Sequence, residues 1–278
     1  MNARTILRKF KNSRLIGRPL ILLYRTYSVA RYLLRRSKLA VTWLVHSRET
    51  TNFTYDLTER NLSYLEAFVA HVTGRDNESI RGYFDELAGN EDIRAVIRNY
   101  SSKAPYSFYT DTEPKFGRRF AWYAIVRALK PKLVVETGVD KGLGALVICA
   151  ALLRNEAEGI PGKYLGTDIN PDAGFLLTDT FLRMGKVITG DSLESLGKLD
   201  ESIGVFINDS DHSAEYEARE YELIGPYLAA EGVILGDNAF VTDKLYQYSK
   251  KYGRKFLYFQ EEPANHWHHG VGLGASFV

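Results

Sequence analysis

The chain of 278 residues has a single cysteine, which excludes a disulfide-built secreted scaffold because no intrachain bridge is available. It has no long hydrophobic run. The longest uninterrupted apolar stretch near the N-terminus is Leu20-Ile21-Leu22-Leu23-Tyr24, closed by Arg25. A membrane-spanning helix needs about 20 such residues and a signal-peptide core roughly 7–15, so neither is expected. Residues 1–48 contain no acid at all: twelve Lys or Arg precede Glu49, leaving 24 of the 36 basic side chains against all 34 acidic ones in the remaining 230 residues. The net charge of +2 therefore hides a basic arm on an acidic body. Such asymmetry points to a polyanionic surface as partner. Hydrophobic (45%) and charged (25%) fractions are those of an ordinary globular protein, which excludes wholesale disorder.

Three units are expected: a basic helical arm (1–48), a helical cap region (49–105) and an α/β domain (106–278). Residues 20–46 mix Leu, Ile, Val, Tyr and Trp43 with Arg25, Arg31, Arg35, Arg36 and Lys38, as in a helix lying on an anionic membrane. Packing on the protein's own body or a homo-oligomer contact would use the same residues, and an acid-free, Arg-rich start also fits an organellar transit peptide. With no secretory signal in view the expected location is the cytoplasm, with peripheral contact at the inner face of the membrane through the arm. No nucleic-acid-binding module accompanies the arm, so nucleic acid is not an expected partner.

From Leu62 to Val72 apolar residues recur at helical spacing and Gly74 is a stop. Asn77 is a candidate cap for a helix through Ala88, and Asn90 for one through Asn99. Beyond residue 116 short β-branched runs alternate with helical ones. Helices are expected at Phe116–Leu129, Gly142–Arg154, Pro171–Arg183, Ala214–Leu228 and Thr242–Tyr252. Near-continuous apolar strands between them imply a Rossmann-like, doubly wound, mostly parallel sheet. The last two strands, Lys255–Gln260 and Val271–Phe277, should pair as an antiparallel hairpin, making seven strands preceded by an α-helical N-terminal region.

In such a sheet ligands sit beyond the carboxyl ends of the strands. These ends deliver Glu136-Thr137-Gly138 with Gly142, then Asp168, Asp191-Ser192, Asp209-Ser210-Asp211-His212 and Asp237-Asn238. Glycines after the first strand allow close backbone approach, and Asp168 suits the two hydroxyls of a ribose. The spacing Gly138-x-x-x-Gly142-x-Gly144 is not G-x-G-x-x-G, and Asp168 follows Gly138 by 30 residues rather than about 20. A cofactor without pyrophosphate fits better than a nicotinamide dinucleotide, although an NAD-dependent oxidoreductase stays open as an alternative, as does a catalytically inactive binding module.

The order Val-Val-Glu-Thr-Gly-Val-x-x-Gly, Gly-Thr-Asp-Ile, Thr-Gly-Asp-Ser, Phe-Ile-Asn-Asp-Ser-Asp-His-Ser and Gly-Val-Ile-Leu-Gly-Asp-Asn, over about residues 116–278, resembles the class I S-adenosylmethionine (SAM)-dependent methyltransferases. More narrowly it resembles their metal-dependent O-methyltransferase branch, which includes catechol O-methyltransferase and enzymes modifying macrolide, aminocoumarin and methylmannose sugars. The resemblance implies SAM as cofactor, bound by Glu136, Thr137, Gly138, Gly142, Asp168, Asp191 and Ser192. It implies Mg²⁺ or another divalent cation on Asp209, Asp237 and Asn238. The acceptor would be a small molecule or glycan bearing neighbouring hydroxyls, a saccharide or glycosylated natural product. His212 or Asp211 would serve as base; His212 is preferred because imidazole titrates near working pH. A cluster at His266-Trp267-His268-His269 is expected to be a loop entering the last strand rather than a metal site.

Overall fold

Apolar runs of five or six residues, rich in Val, Ile and Leu, are buried on both faces and so form the interior of a sheet rather than its surface. The computed structural model describes residues 17–278. The first third of the basic arm, residues 1–16, lies outside the described residues. Strands β1 (Leu133–Thr137), β2 (Lys163–Asp168), β3 (Gly185–Thr189), β4 (Ile203–Asn208), β5 (Leu228–Gly236), β6 (Lys255–Gln260) and β7 (Gly272–Phe277) make one sheet in the order β3-β2-β1-β4-β5-β7-β6. β1 to β5 are parallel; β7 runs antiparallel to both β5 and β6. The expected seven-stranded, mostly parallel sheet with its terminal hairpin is therefore present. Its strand order reverses between β1 and β4, the switch point at which open sheets bind ligands.

The two faces of the sheet feed two cores. Val134, Val205, Ile207, Val233 and Leu235 face helices α5 (Arg119–Leu129) and α6 (Leu143–Ala157), where Trp122, Leu146 and Cys149 are buried. Burial in this apolar layer pushes the Cys149 thiol far up and keeps it a small hydrophobe. Val135, Phe206 and Ile234 face the other way, onto Tyr221, Ile224, Leu245 and Tyr248 of helices α8 (Ala214–Ile224) and α9 (Lys244–Lys251). Helices α2 (Glu59–Thr73), α3 (Asn77–Ala88) and α4 (Glu91–Ser101) extend the first core through Leu65, Phe68, Ile80, Phe84 and Ile93. Residues 49–264 and 269–278 form one compact unit. Helix α1 (Gly17–His46) and the Asn265–His268 loop form the other. Within that second unit the Trp43 ring lies 5.5 Å from that of Trp267, and Arg36 Nη1 donates to the Trp267 carbonyl at 2.8 Å. No helix among the described residues is long and apolar enough to cross a membrane.

Several local expectations are corrected. The cap of α3 is Asp76, whose carboxylate accepts from Ser79 N at 2.8 Å, and not Asn77, which is the first helical residue. Asn90 caps α4 as expected, and Gly74 ends α2 in the left-handed conformation. α5 starts at Arg119 rather than Phe116, because Gly117 turns the chain with φ +49° and Arg118 N is taken by the Glu261 carboxylate. The helix expected from Pro171 to Arg183 is replaced by turns and a short 3₁₀ segment, Asp179–Met184. Here Gly174 N and Leu176 N donate to the carbonyls of Asp140 and Lys141, so part of the segment bonds to the loop after β1 rather than continuing as a helix. α8 stops at Ile224, where Gly225-Pro226-Tyr227 tightens into a 3₁₀ turn. One helix, α7 (Ser192–Leu196), was not expected; Asp191 caps it by accepting from Leu193 N and Glu194 N.

Candidate active site

The carboxyl ends of β1 to β4 and the turn after β5 converge on one cavity of about 540 Å³, within the usual range for a small-molecule site. Asp140, Asp168, Asp191, Asp209 and Asp211 line it, and among the described residues no Lys or Arg does. Such a wall repels a diphosphate and favours a cation-bearing ligand, and the donor set therefore fits SAM, whose sulfonium is positive, better than a dinucleotide.

At one end Asp168 Oδ2 accepts from Asp140 N and Oδ1 from Asn170 N, both at 2.8 Å. These bonds fix the carboxylate while leaving each oxygen a further lone pair for a ligand hydroxyl. Asp191 Oδ1 caps α7. Gly138 lines the cavity with φ +82°, and a Cβ there would overlap the Asp209 carbonyl oxygen, so glycine lets the ends of β1 and β4 touch. Gly142 does a different job from the one expected. With φ +89° it packs on Gly174, where a Cβ would lie 2.9 Å from the Gly174 Cα, and it does not line the cavity.

Three other expected cofactor ligands are turned inward. Thr137 is fully buried and its hydroxyl faces Glu220 at 3.4 Å. The Ser192 hydroxyl lies at the cavity wall but is spent on the Glu220 carboxylate and on Tyr216 OH. Glu136 sits in a small neighbouring recess with Arg119 and Asp209, accepts from Tyr164 OH at 2.5 Å, and is raised by burial to about 8. Glu220 itself receives Ser192, Thr137, Asn208 and Ser210, which lie at the ends of β3, β1 and β4.

At the other end lie Asp209, His212 and Asn238. His212 Nε2 is 2.9 Å from Asn238 Nδ2 and 3.5 Å from Asp209 Oδ1, and Nδ1 stands 3.5 Å from Glu217 Oε1. The two Nε2 contacts demand opposite protonation states. A bare Nε2 accepts from the Asn238 amide; a protonated one donates to Asp209 and requires the amide turned over. Burial disfavours the imidazolium, but Asp209 and Glu217 outweigh it and raise His212 to about 10, so, contrary to expectation, it does not titrate near working pH. Asp209 is itself raised to about 7 by burial and by the adjacent Asp237. Asp211 also lines the cavity, but its Oδ1 accepts from Ser213 N at 2.7 Å and so shapes the entry to α8.

The divalent-cation site does not fit these residues. Asp237 has no exposed surface, and both its oxygens are occupied by Arg118, through Nε on Oδ1 and Nη2 on Oδ2. Glu261, also unexposed, flanks the same guanidinium at 3.6 Å. Burial opposes the charge on Asp237, yet Arg118 holds it below the usual carboxylate range. Mg²⁺ needs open oxygen ligands in near-octahedral array. Asp237, one of the three ligands expected, is already neutralised by a built-in cation. Among the described residues no group of three or more His, Cys, Asp or Glu side chains could hold a metal ion, the His266–His269 cluster included.

The residues that residue-pattern reading missed are Arg118, Glu217, Glu220 and Glu261. A signal existed only for the two on α8: Glu217, Tyr221 and Ile224 recur at helical spacing, and Glu220 adjoins them, so both acids lie on the buried face.

Residues 135–239 match the family described as a methyltransferase domain. Among solved structures, the cofactor-bound protein Rv0187 from MTB gives a TM-score of 0.53 at 14% identity, covering 72% of this chain and 95% of that one. A Staphylococcus aureus protein proposed to be a caffeoyl-CoA O-methyltransferase gives 0.50 at 14% identity, covering 73% and 99%. The fold is thus shared with class I methyltransferases. No protein of curated function matches the chain significantly.

Proposed function

We propose that this chain transfers a methyl group from SAM to a hydroxyl of a saccharide or glycosylated small molecule. The observation that carries the proposal is the acidic cavity at the sheet's switch point, with Asp168 and Asp191 at one end and the Asp209–His212–Asn238 group at the other. When bound, SAM supplies an electrophilic methyl group on a positively charged sulfur. Asp168 is preset to accept from ribose hydroxyls, the Asp191 carboxylate suits an adenine amino group, and Ile169, 79% exposed at the cavity, offers an apolar surface to a base. Asp209 favours positive charge beside it. His212, once neutral, accepts the proton that the acceptor hydroxyl must lose, and Asn238 orients its ring. The saccharide reading rests on the family resemblance and on the polar character of the wall around Asn238.

Calorimetry with SAM and with NAD tests the cofactor. SAM should bind and NAD should not. Asp168→Ala should weaken SAM by about 10- to 100-fold, the worth of hydrogen bonds to a charged group. Tight NAD binding with SAM silent would transfer the chain to the oxidoreductases; SAM binding without turnover on any hydroxylated acceptor would make it a binding module.

No divalent cation enters this proposal, because Arg118 occupies Asp237. Turnover on a competent acceptor should therefore be unchanged by EDTA. Loss of activity in chelator with recovery in Mg²⁺ would restore the cation site.

A further inference from the structure

Helix α1 carries nine exposed apolar residues along one side, while Leu20, Ile21, Tyr24, Tyr32, Leu39 and Trp43 lie on the other. Leu22, Leu33 and Leu44 recur every eleven residues, and so do Leu23, Leu34 and Val45. Eleven residues are three helical turns, so each series forms a straight stripe along one side. At 100° per residue these six, with Tyr27, Val29 and Val41, fall on an arc of about 160° that holds no charged residue. All nine are exposed, between 55% and 72%. The six cations of the helix lie outside the arc: Arg18, Arg25 and Arg36 along one border, Lys38 and Arg31 along the other, and Arg35 behind. No acid lies anywhere on α1. Trp43, which meets the Asn265–His268 loop, also lies outside the arc, so the stripe is not the side used for that contact.

We infer that this face of α1 is a docking surface for an anionic lipid membrane, in which the helix lies in the plane of the interface. Charge decides between occupants. A second copy of the chain could cover the apolar stripe, but pairing two such helices face to face sets one cationic border against another with no acid to compensate. An anionic lipid surface satisfies both parts at once: acyl chains receive the Leu and Val residues, and phosphates receive the bordering Arg and Lys. The wide uncharged arc with flanking cations also differs from a spanning segment, whose whole circumference would be apolar.

The test uses the full chain in flotation with vesicles of phosphatidylcholine alone and of equal parts phosphatidylcholine and phosphatidylglycerol. The wild type should float with the anionic vesicles at least about tenfold better than with the neutral ones, and should detach as salt shortens the Debye length. Leu33→Glu with Leu34→Glu, on the exposed stripe, should reduce flotation at least about tenfold. Thr42→Glu, off the arc, should reduce it much less. SAM calorimetry on the same variants should match wild type, which separates failure of the docking surface from failure of the proposed activity. Equal flotation on both vesicles, or full flotation of the Leu33/Leu34 variant, would overturn the inference. So would sedimentation as a dimer that the same pair of substitutions dissociates, since that makes the occupant a second copy.

Discussion

Arg118→Ala should cost roughly 3–5 kcal/mol of folding stability, the range for removing one partner of a buried ion pair. Arg118 is 8% exposed, and the side chains of Asp237 and Glu261 have no exposed surface. Without the guanidinium two buried carboxylates lose the cation they share. Glu261 would keep Tyr55 OH at 2.6 Å and the residue 118 backbone N–H at 2.7 Å, but Asp237 would lose both its bonds from the guanidinium. Arg118→Lys should recover only part of the loss, since an ammonium cannot serve two oxygens in fork geometry. Removing the pair together, as Arg118→Met with Asp237→Leu, should cost much less than the sum of the single changes, because only Glu261 then loses its cation, and it keeps its bonds from Tyr55 OH and the residue 118 backbone N–H. Urea denaturation with an unchanged m-value is the measurement. A loss below about 1 kcal/mol for Arg118→Ala would show that the pair is open to solvent and that Asp237 is free for other partners.

His212→Ala should lower kcat by about 10²–10⁴, as expected for loss of a general base, without weakening SAM binding. The pH dependence separates this from a structural role. His212 is held protonated up to about 10, and a base must be neutral to act, so kcat/KM for the cofactor should rise with pH until about 10 and level off above it. A sulfonium beside Asp209 opposes a second positive charge, so the limb seen in kcat should lie at lower pH than that in kcat/KM. In His212→Ala the limb should disappear. Should Asp211→Ala abolish it while His212→Ala leaves it intact, the base is the neighbouring carboxylate.

The ends of the parallel strands were legible because each announces itself locally: an apolar run stops at Glu136, Asp168, Asp191, Asp209 or Asp237. The caps at Asn90 and Gly74 were legible for the same reason, since their partners lie within a few residues. What sequence concealed depends on distant pairing. Arg118 and Asp237 are separated by 119 residues, and only the fold makes the second a partner of the first rather than of a cation. Thr137 and Ser192 read as cofactor ligands because they follow strands, yet Glu220 draws both hydroxyls inward. The segment after Pro171 had helical composition, but the backbone of Asp140 and Lys141 offered its N–H groups better partners.

Glu220 has one more effect. Its single carboxylate is shared by groups at the ends of β1, β3 and β4, and α8 carries it into the interior with Glu217, which also receives Thr242 beyond β5. Releasing any one of these strand ends removes a donor from the same buried acid, so they should not fluctuate independently. The rim of the cavity should open as a single cooperative unit, with amides after β1, β3 and β4 exchanging their hydrogens at a common free energy. Ligand entry would then be governed by one collective opening equilibrium, set on α8, instead of by the separate mobility of several loops.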